Sequence, residues 1–275
     1  METQSLRDRA EHIIAVEKAI TYMKLHLEES LTLDQIASVA GYSSFHFTRI
    51  FKHTTGISVR RYLSALRIEA GKTKLLNAPS TTVRLLQHIG FSSVGTFQTR
   101  FKSYVGLTPQ KFKNLAHTLF RYVQQHKETA FTEEDNGSEG CSVIRCHIQA
   151  PAYFQGIVFV GLFPRPIPDE RPAAGNVTAF SNSEKVCTIK TSKPGSYYVL
   201  AAGIPWSLNP KDYFLLHQSL RAKSPKAIDI KQPSNIEMEL NLREALPTDP
   251  PIVINLPLLL FERDSVNKKS KLEEF

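Results

Sequence analysis

The chain has 275 residues, 41% of them hydrophobic, with a formal net charge of +8. That length can hold two cores, while the longest apolar run, 250–261, is broken by prolines and falls short of the roughly 20 residues of a membrane span. Residues 1–127 carry 18 Lys+Arg against 8 Asp+Glu, and residues 128–275 carry 16 against 18, so a polyanion partner is expected of the first half only.

The opening residues, Met1 to Asp8, contain no apolar run of the kind a signal peptide needs. Cys141, Cys146 and Cys187 show neither a CxxC pair nor metal-ligand spacing. Reduced thiols in a cytoplasmic protein, with no metal, cofactor or membrane, are the expectation.

In chain order, Ile13, Ile14, Val16, Ala19, Ile20, Met23 and Leu27 recur near helical spacing and predict a first helix with a core-facing stripe. Thr32 caps a short helix, 33–40, that stops at Gly41. Ser43 or Ser44 caps the next, which runs through Phe45, Phe47, Ile50 and Phe51 to Gly56. A long helix over 58–77 follows, stopped by Pro79. The pattern then recurs as a short helix at 82–89, a turn at Gly90, a helix at 93–104, a stop at Gly106 and a last helix opened by Pro109. Residues 8–127 thus read as an all-helical domain. The acidic, glycine-containing stretch 128–142 reads as a linker. Beyond it, 143–262 is β-branched and punctuated by prolines. Strands are expected at 153–163, 175–180, 186–191, 196–202, 227–230, 236–240 and 252–255, with one helix at 210–221 and a polar tail at 263–275. The whole is a multidomain chain, all-α and then mainly β and sandwich-like.

The helical half contains a repeat. Gly41-Tyr42-Ser43-Ser44 matches Gly90-Phe91-Ser92-Ser93, and Phe47, Phe51-Lys52 and Gly56 match Phe97, Phe101-Lys102 and Gly106, with one extra residue in the second copy. Each copy is helix, glycine turn, helix: a helix-turn-helix, in which the second helix offers its N-terminal side chains to the major groove. With Phe47, Ile50 and Phe51 turned to the core, Ser44, Phe45, His46, Thr48 and Arg49 face outward. Arg49 suits the O6 and N7 of a guanine, Phe45 and Thr48 a thymine methyl, and Lys52 a phosphate.

These motifs resemble the AraC/XylS family of transcription regulators. The carriers are Leu33, Ile36-Ala37, Ala40-Gly41-Tyr42-Ser43, Phe47, Arg49, Phe51-Lys52, Gly56, Arg67, Gly90-Phe91-Ser92-Ser93, Phe97, Phe101-Lys102 and Gly106-x-Thr108-Pro109. The resemblance covers about 110 residues. It implies two helix-turn-helix units joined by a long helix, with both reading helices in successive major grooves. One half-site then falls to Ser44–Arg49, and the other to Val94, Gly95, Thr96, Gln98, Thr99 and Arg100, with Lys102 beside them. Two departures weaken the second unit. Leu86 stands where the first has Ala37, and the arginine equivalent to Arg49 is displaced from Thr99 to Arg100. The second unit is therefore expected to read fewer bases and to anchor more.

Many members of that family sense a small molecule in a second domain, which here follows the DNA-binding one. The stretches 156–163 and 193–201, with Tyr197-Tyr198 after Gly195, suggest a transthyretin-like or carboxypeptidase-regulatory-like sandwich; a GyrI-like α+β effector domain is the competing fold. Tyr197, Tyr198, Trp206, Phe159 and Phe163 read as core more readily than as a pocket, and 164–172 as a strand-edge loop more readily than as an SH3 ligand. Double-stranded DNA is the expected partner, with RNA polymerase and a small-molecule effector as further candidates. The alternatives are an architectural DNA binder without effector and a DNA-repair alkyltransferase. The latter needs Pro-Cys-His-Arg where this chain has Arg145-Cys146-His147-Ile148, so no enzyme is expected. Activation or repression is not written in the sequence.

Overall fold

The computed structural model describes residues 2–77, 89–91, 93–125, 140–181, 184–231 and 233–263, with the side chains of the first few left aside. The first half is helical: α1 (Glu2–Leu25), α2 (Leu33–Ala40), α3 (Ser44–Thr55), α4 (Val59–Asn77), α5 (Val94–Val105) and α6 (Pro109–Gln125). The expected helix at 82–89, and Leu86 with it, lies largely outside the described residues. The α1 stripe is narrower than its sequence suggests. Val16, Ala19, Ile20 and Met23 are buried, whereas Ile13 and Ile14 are exposed.

The second half holds two sheets. A three-stranded sheet runs in the order β4 (Glu184–Thr191), β1 (Ser142–Gln149), β8 (Asn235–Asn241), with β1 antiparallel to β4 and parallel to β8. The larger sheet runs β3 (Gly175–Phe180), β2 (Gly156–Phe163), β5 (Gly195–Pro205), β6 (Leu220–Lys223), and β7 (Ile228–Ile230) pairs with the start of β5. Alternation along β1 turns Ile144, Cys146 and Ile148 inward, where they meet Val158, Val160 and Leu162 of β2 in one apolar cluster. The other face of β2, with Ile157, Phe159 and Phe163, belongs to a second cluster that continues into the helical half through Phe47, Phe51, Phe97 and Phe101. β2 is consequently buried along its whole length, as the middle layer between helices and outer sheet.

Several sequence expectations need correction. The helix foreseen at 210–221 is two short 3₁₀ turns, Pro210–Tyr213 and Leu216–Gln218, followed by β6. Buried Tyr213, Leu216 and Leu220 do recur at helical spacing, but the side chain of Asn209 accepts from Lys211 N and starts a tighter turn instead. The strand foreseen at 252–255 has no ladder partner. Ile252, Val253 and Ile254 are buried where the two halves meet, and Asn255 caps a helix, α7, at 256–263, its Oδ1 accepting from Leu258 N at 3.2 Å. The strand expected from 153 begins at Gly156, and β1, absent from the expected set, starts at the last residue of the foreseen linker, Ser142, and runs into the foreseen β domain. No helix of the described residues is long and apolar enough to cross a membrane.

Polar contacts lock the halves together along α4. Arg61 is ion-paired with fully buried Asp169, Tyr62 Oη donates to Asp249 O at 2.8 Å, and Lys72 Nζ donates to Val253 O at 3.4 Å. At the other end Gln124 Nε2 donates to Ser207 O at 2.8 Å, and Phe112 meets Phe214 edge-on at 5.7 Å.

Candidate DNA-binding interface

Local chemistry sets both helix-turn-helix units. Thr32 and Gln35 form a reciprocal capping box: Thr32 N donates to Gln35 Oε1 at 2.8 Å and Gln35 N to Thr32 Oγ1 at 3.2 Å. Gly41 ends α2 at φ +81°, and Tyr42 N then donates to Ala37 O at 3.1 Å. Ser43, not Ser44, caps α3, and Ser93 caps α5 in the same way, accepting from Thr96 N at 3.1 Å. The turn of the second unit is tighter. Gly90 has φ +68°, and a Cβ there would lie 2.1 Å from Leu27 O; only glycine fits. Arg67 fixes that carbonyl, its Nε donating to Leu27 O at 3.1 Å and its Nη2 to Glu29 O at 2.7 Å.

The two reading helices rest on equivalent aromatic stacks. Phe47 and Phe51 lean on Tyr62 of α4, ring centroids 5.4 Å apart, and Phe97 and Phe101 lean on Phe112 of α6 at 5.5 Å. Burial of Phe47, Ile50, Phe51 and Thr55 leaves the opposite face of α3 to solvent. Phe45 is 77% exposed, and His46, Arg49 and Lys52 are exposed with it. His46 stands edge-on to Tyr42 at 5.2 Å. Ser44 and Thr48 are half-buried and already engaged, the Ser44 hydroxyl with Asp34 and Thr48 Oγ1 with Ser44 O at 2.8 Å.

On α5, Gly95, Thr96, Gln98, Thr99 and Lys102 are exposed, while Val94 is half-buried against the core. Arg100 does not share their face. It occupies the place that buried Ile50 has in α3, and its Nη1 donates to Ser64 Oγ of α4 at 3.2 Å. Only Thr99 therefore takes the outward position of Arg49. Thr48 and Thr96, one from each reading helix, border a single cleft of about 810 Å3 over α4, together with Arg60, Arg67 and Arg100. Burial and the neighbouring Arg100 charge hold the Arg67 guanidinium below its ordinary pKa. The sequence reading missed the cleft and Arg60; the Arg60-Arg61 pair at the start of α4 was the available signal, and its two members diverge, Arg60 to the cleft and Arg61 to Asp169.

Cys146, the nucleophile of the alkyltransferase alternative, is fully buried in β1, and burial pushes its thiol up to about 12. Such a thiol is inert at neutral pH. It lies directly opposite Cys187 in the β1–β4 register, a pairing that sequence spacing did not reveal.

Residues 27–114 match a family model described as a helix-turn-helix domain. The Transposon Tn10 TetD protein of Escherichia coli is 29% identical over 106 residues, 38% of this chain and 77% of that protein. The HTH-type transcriptional regulator SAS0078 of Staphylococcus aureus is 29% identical over 98 residues, a stretch that spans 36% of this chain and 13% of that protein. Among solved structures, an AraC-type transcriptional regulator from Chromobacterium violaceum has 25% identity and a TM-score of 0.37, covering 38% of this chain and 95% of that one. Residues 27–114 are accordingly an AraC-type helix-turn-helix DNA-binding domain, and a β-rich region of two sheets lies beyond the match.

Proposed function

We propose that the protein reads an asymmetric DNA site unequally with its two units, and that its β-rich region makes this reading responsive to a small-molecule effector in the cytoplasm. One observation carries the unequal reading: Arg49 is free on the outer face of α3, whereas Arg100 is turned onto Ser64. Around Arg49, Phe45, His46 and Thr48 supply apolar and polar contacts to base edges, and Lys52 meets phosphate. On α5, Thr96, Gln98 and Thr99 offer short polar groups beside Val94 and Gly95. Arg100, with Lys102, favours the backbone over bases.

Arg49→Ala should cost about 1–3 kcal/mol of discrimination at one base, and Arg100→Ala should weaken binding evenly across sequences. Selection of binding sites from a random library by both variants tests this. Equal, base-specific losses for the two would refute the asymmetry. RNA polymerase is the protein partner this reading implies. The transthyretin-like kinship of the sandwich belongs to the same proposal, on the strength of the Gly195-Ser196-Tyr197-Tyr198 opening of β5. Effector response is favoured over a purely architectural role by the extent of contact between the β-rich region and α4. A metabolite panel that never alters affinity for the selected DNA would refute it.

A further inference from the structure

A cavity of about 580 Å3 lies between the larger sheet and the segment 252–263. Phe159, Val177 and Ala202 form its floor, and Ile252, Ile254 and Leu259 its roof. The volume is that of an ordinary small-molecule site. Its mouth is mainly cationic: Arg171, Lys193 and Arg263 stand against one carboxylate, Glu262. Arg171 is paired with Glu262, and Arg263 Nη1 donates to Asn176 Oδ1 at 2.9 Å. Lys193 Nζ donates to the Ala173 carbonyl at 3.3 Å, and among the described residues it has no acidic partner. An apolar interior under such a mouth complements an apolar body that ends in an anionic group.

Two segments that wall the cavity also touch the DNA-binding domain, one at each reading helix. The loop 164–172 gives Pro168, Arg171 and Pro172 to the cavity. The same loop sets Pro166 against Gly56, the C-cap of α3, where a Cβ would lie 2.7 Å from its ring, and Asp169 against Arg61. The segment 252–263 sets Leu258 against Gly106, the C-cap of α5, and Phe261 edge-on to Tyr122 of α6 at 5.1 Å. Both contacts fall at the C-terminal ends of the reading helices and leave the first turns open.

We infer that this cavity binds a small apolar carboxylate, and that occupancy alters the spacing of the two reading helices through these two arms. The inference rests on the effector-responsive reading above and adds to it the ligand class and the route. A ligand that parts the floor from the roof moves one arm against the other, and each arm bears on one unit.

The test uses the full chain with decanoate as probe and decylammonium and decanol as matched controls. Decanoate should raise the thermal midpoint by about 2–4 °C at ten times its Kd, and bind at least tenfold more tightly than decylammonium. Ala202→Phe, which fills the floor, should abolish the shift. Lys193→Glu, at the exposed mouth, should weaken decanoate severalfold without touching the core. For the arms, spin labels at His53→Cys and Ser103→Cys, in a Cys141→Ser background, report the distance between α3 and α5, and decanoate should change it. Tighter binding of decylammonium would overturn the ligand class while leaving effector response standing. Decanoate binding that both variants leave unaltered would overturn the site. Binding at the cavity without a distance change would overturn the route.

Discussion

Replacing Lys72 by methionine should stabilise the protein, by an amount that depends on pH. Lys72 is 1% exposed on α4, and its ammonium donates to Val253 O at 3.4 Å. Burial lowers its pKa from 10.5 to about 8, against a small opposing effect of Glu69. That difference corresponds to a destabilisation of about 3 kcal/mol at neutral pH. Below pH 8 the group is charged in both states and the folded state bears the full penalty. Between about 8 and 10.5 the unfolded chain holds more protons, so stability rises with pH, and above 10.5 the penalty has gone. Methionine fills a similar volume and forfeits one hydrogen bond of about 1 kcal/mol. Lys72→Met should therefore gain about 2 kcal/mol at pH 7, and the gain should vanish by pH 10.5. Urea titrations of both proteins from pH 6.5 upward measure it. A variant less stable than wild type at pH 7, or a difference that does not change with pH, would refute the reasoning.

Three further outcomes follow from the packing. Gly90→Ala should be far more damaging than Gly41→Ala, because both glycines have positive φ but only at Gly90 would a Cβ strike a carbonyl; Gly41→Ala should cost about 1–2 kcal/mol, and equal thermal midpoints would contradict the difference. Arg61→Ala should destabilise by about 3–5 kcal/mol, since it strands a fully buried carboxylate, and adding Asp169→Leu should recover most of the loss; a double variant as weak as the single one speaks against it. In native protein a thiol reagent should modify Cys141 and spare Cys146 and Cys187, which are buried; rapid labelling of all three would show that the two sheets do not share a sealed core.

The helical half was legible because its signals are local. Thr32, Ser43 and Ser93 cap where they stand, Gly41, Gly56 and Gly106 stop the helices, and the phenylalanine spacing gives the buried face. What escaped depends on neighbours distant in sequence. The direction of Arg100 turns on a one-residue slip, about 100° around a helix, which moves it from the place of Arg49 to that of Ile50. Ile252 to Ile254 read as a strand because β-branched runs do, yet their burial comes from α4 and the sheet rather than from a ladder. Lys72 is buried beside the second half, where the Val253 carbonyl accepts from its ammonium. The Cys146–Cys187 pairing depends on strand register, which composition does not encode.

The parallel pairing of β1 with β8 bears on how the molecule is made. The first strand after the helical half takes its neighbour from the last strand of the β-rich region, so the outer sheet stays incomplete until nearly the whole described chain has emerged from the ribosome. The helices close mainly through contacts near in sequence and can form earlier. During each round of synthesis there is thus an interval in which the helical half is folded and the β-rich half is not. A stop codon anywhere before Asn235 would make that interval permanent, leaving the helical half beside an outer sheet that lacks β8.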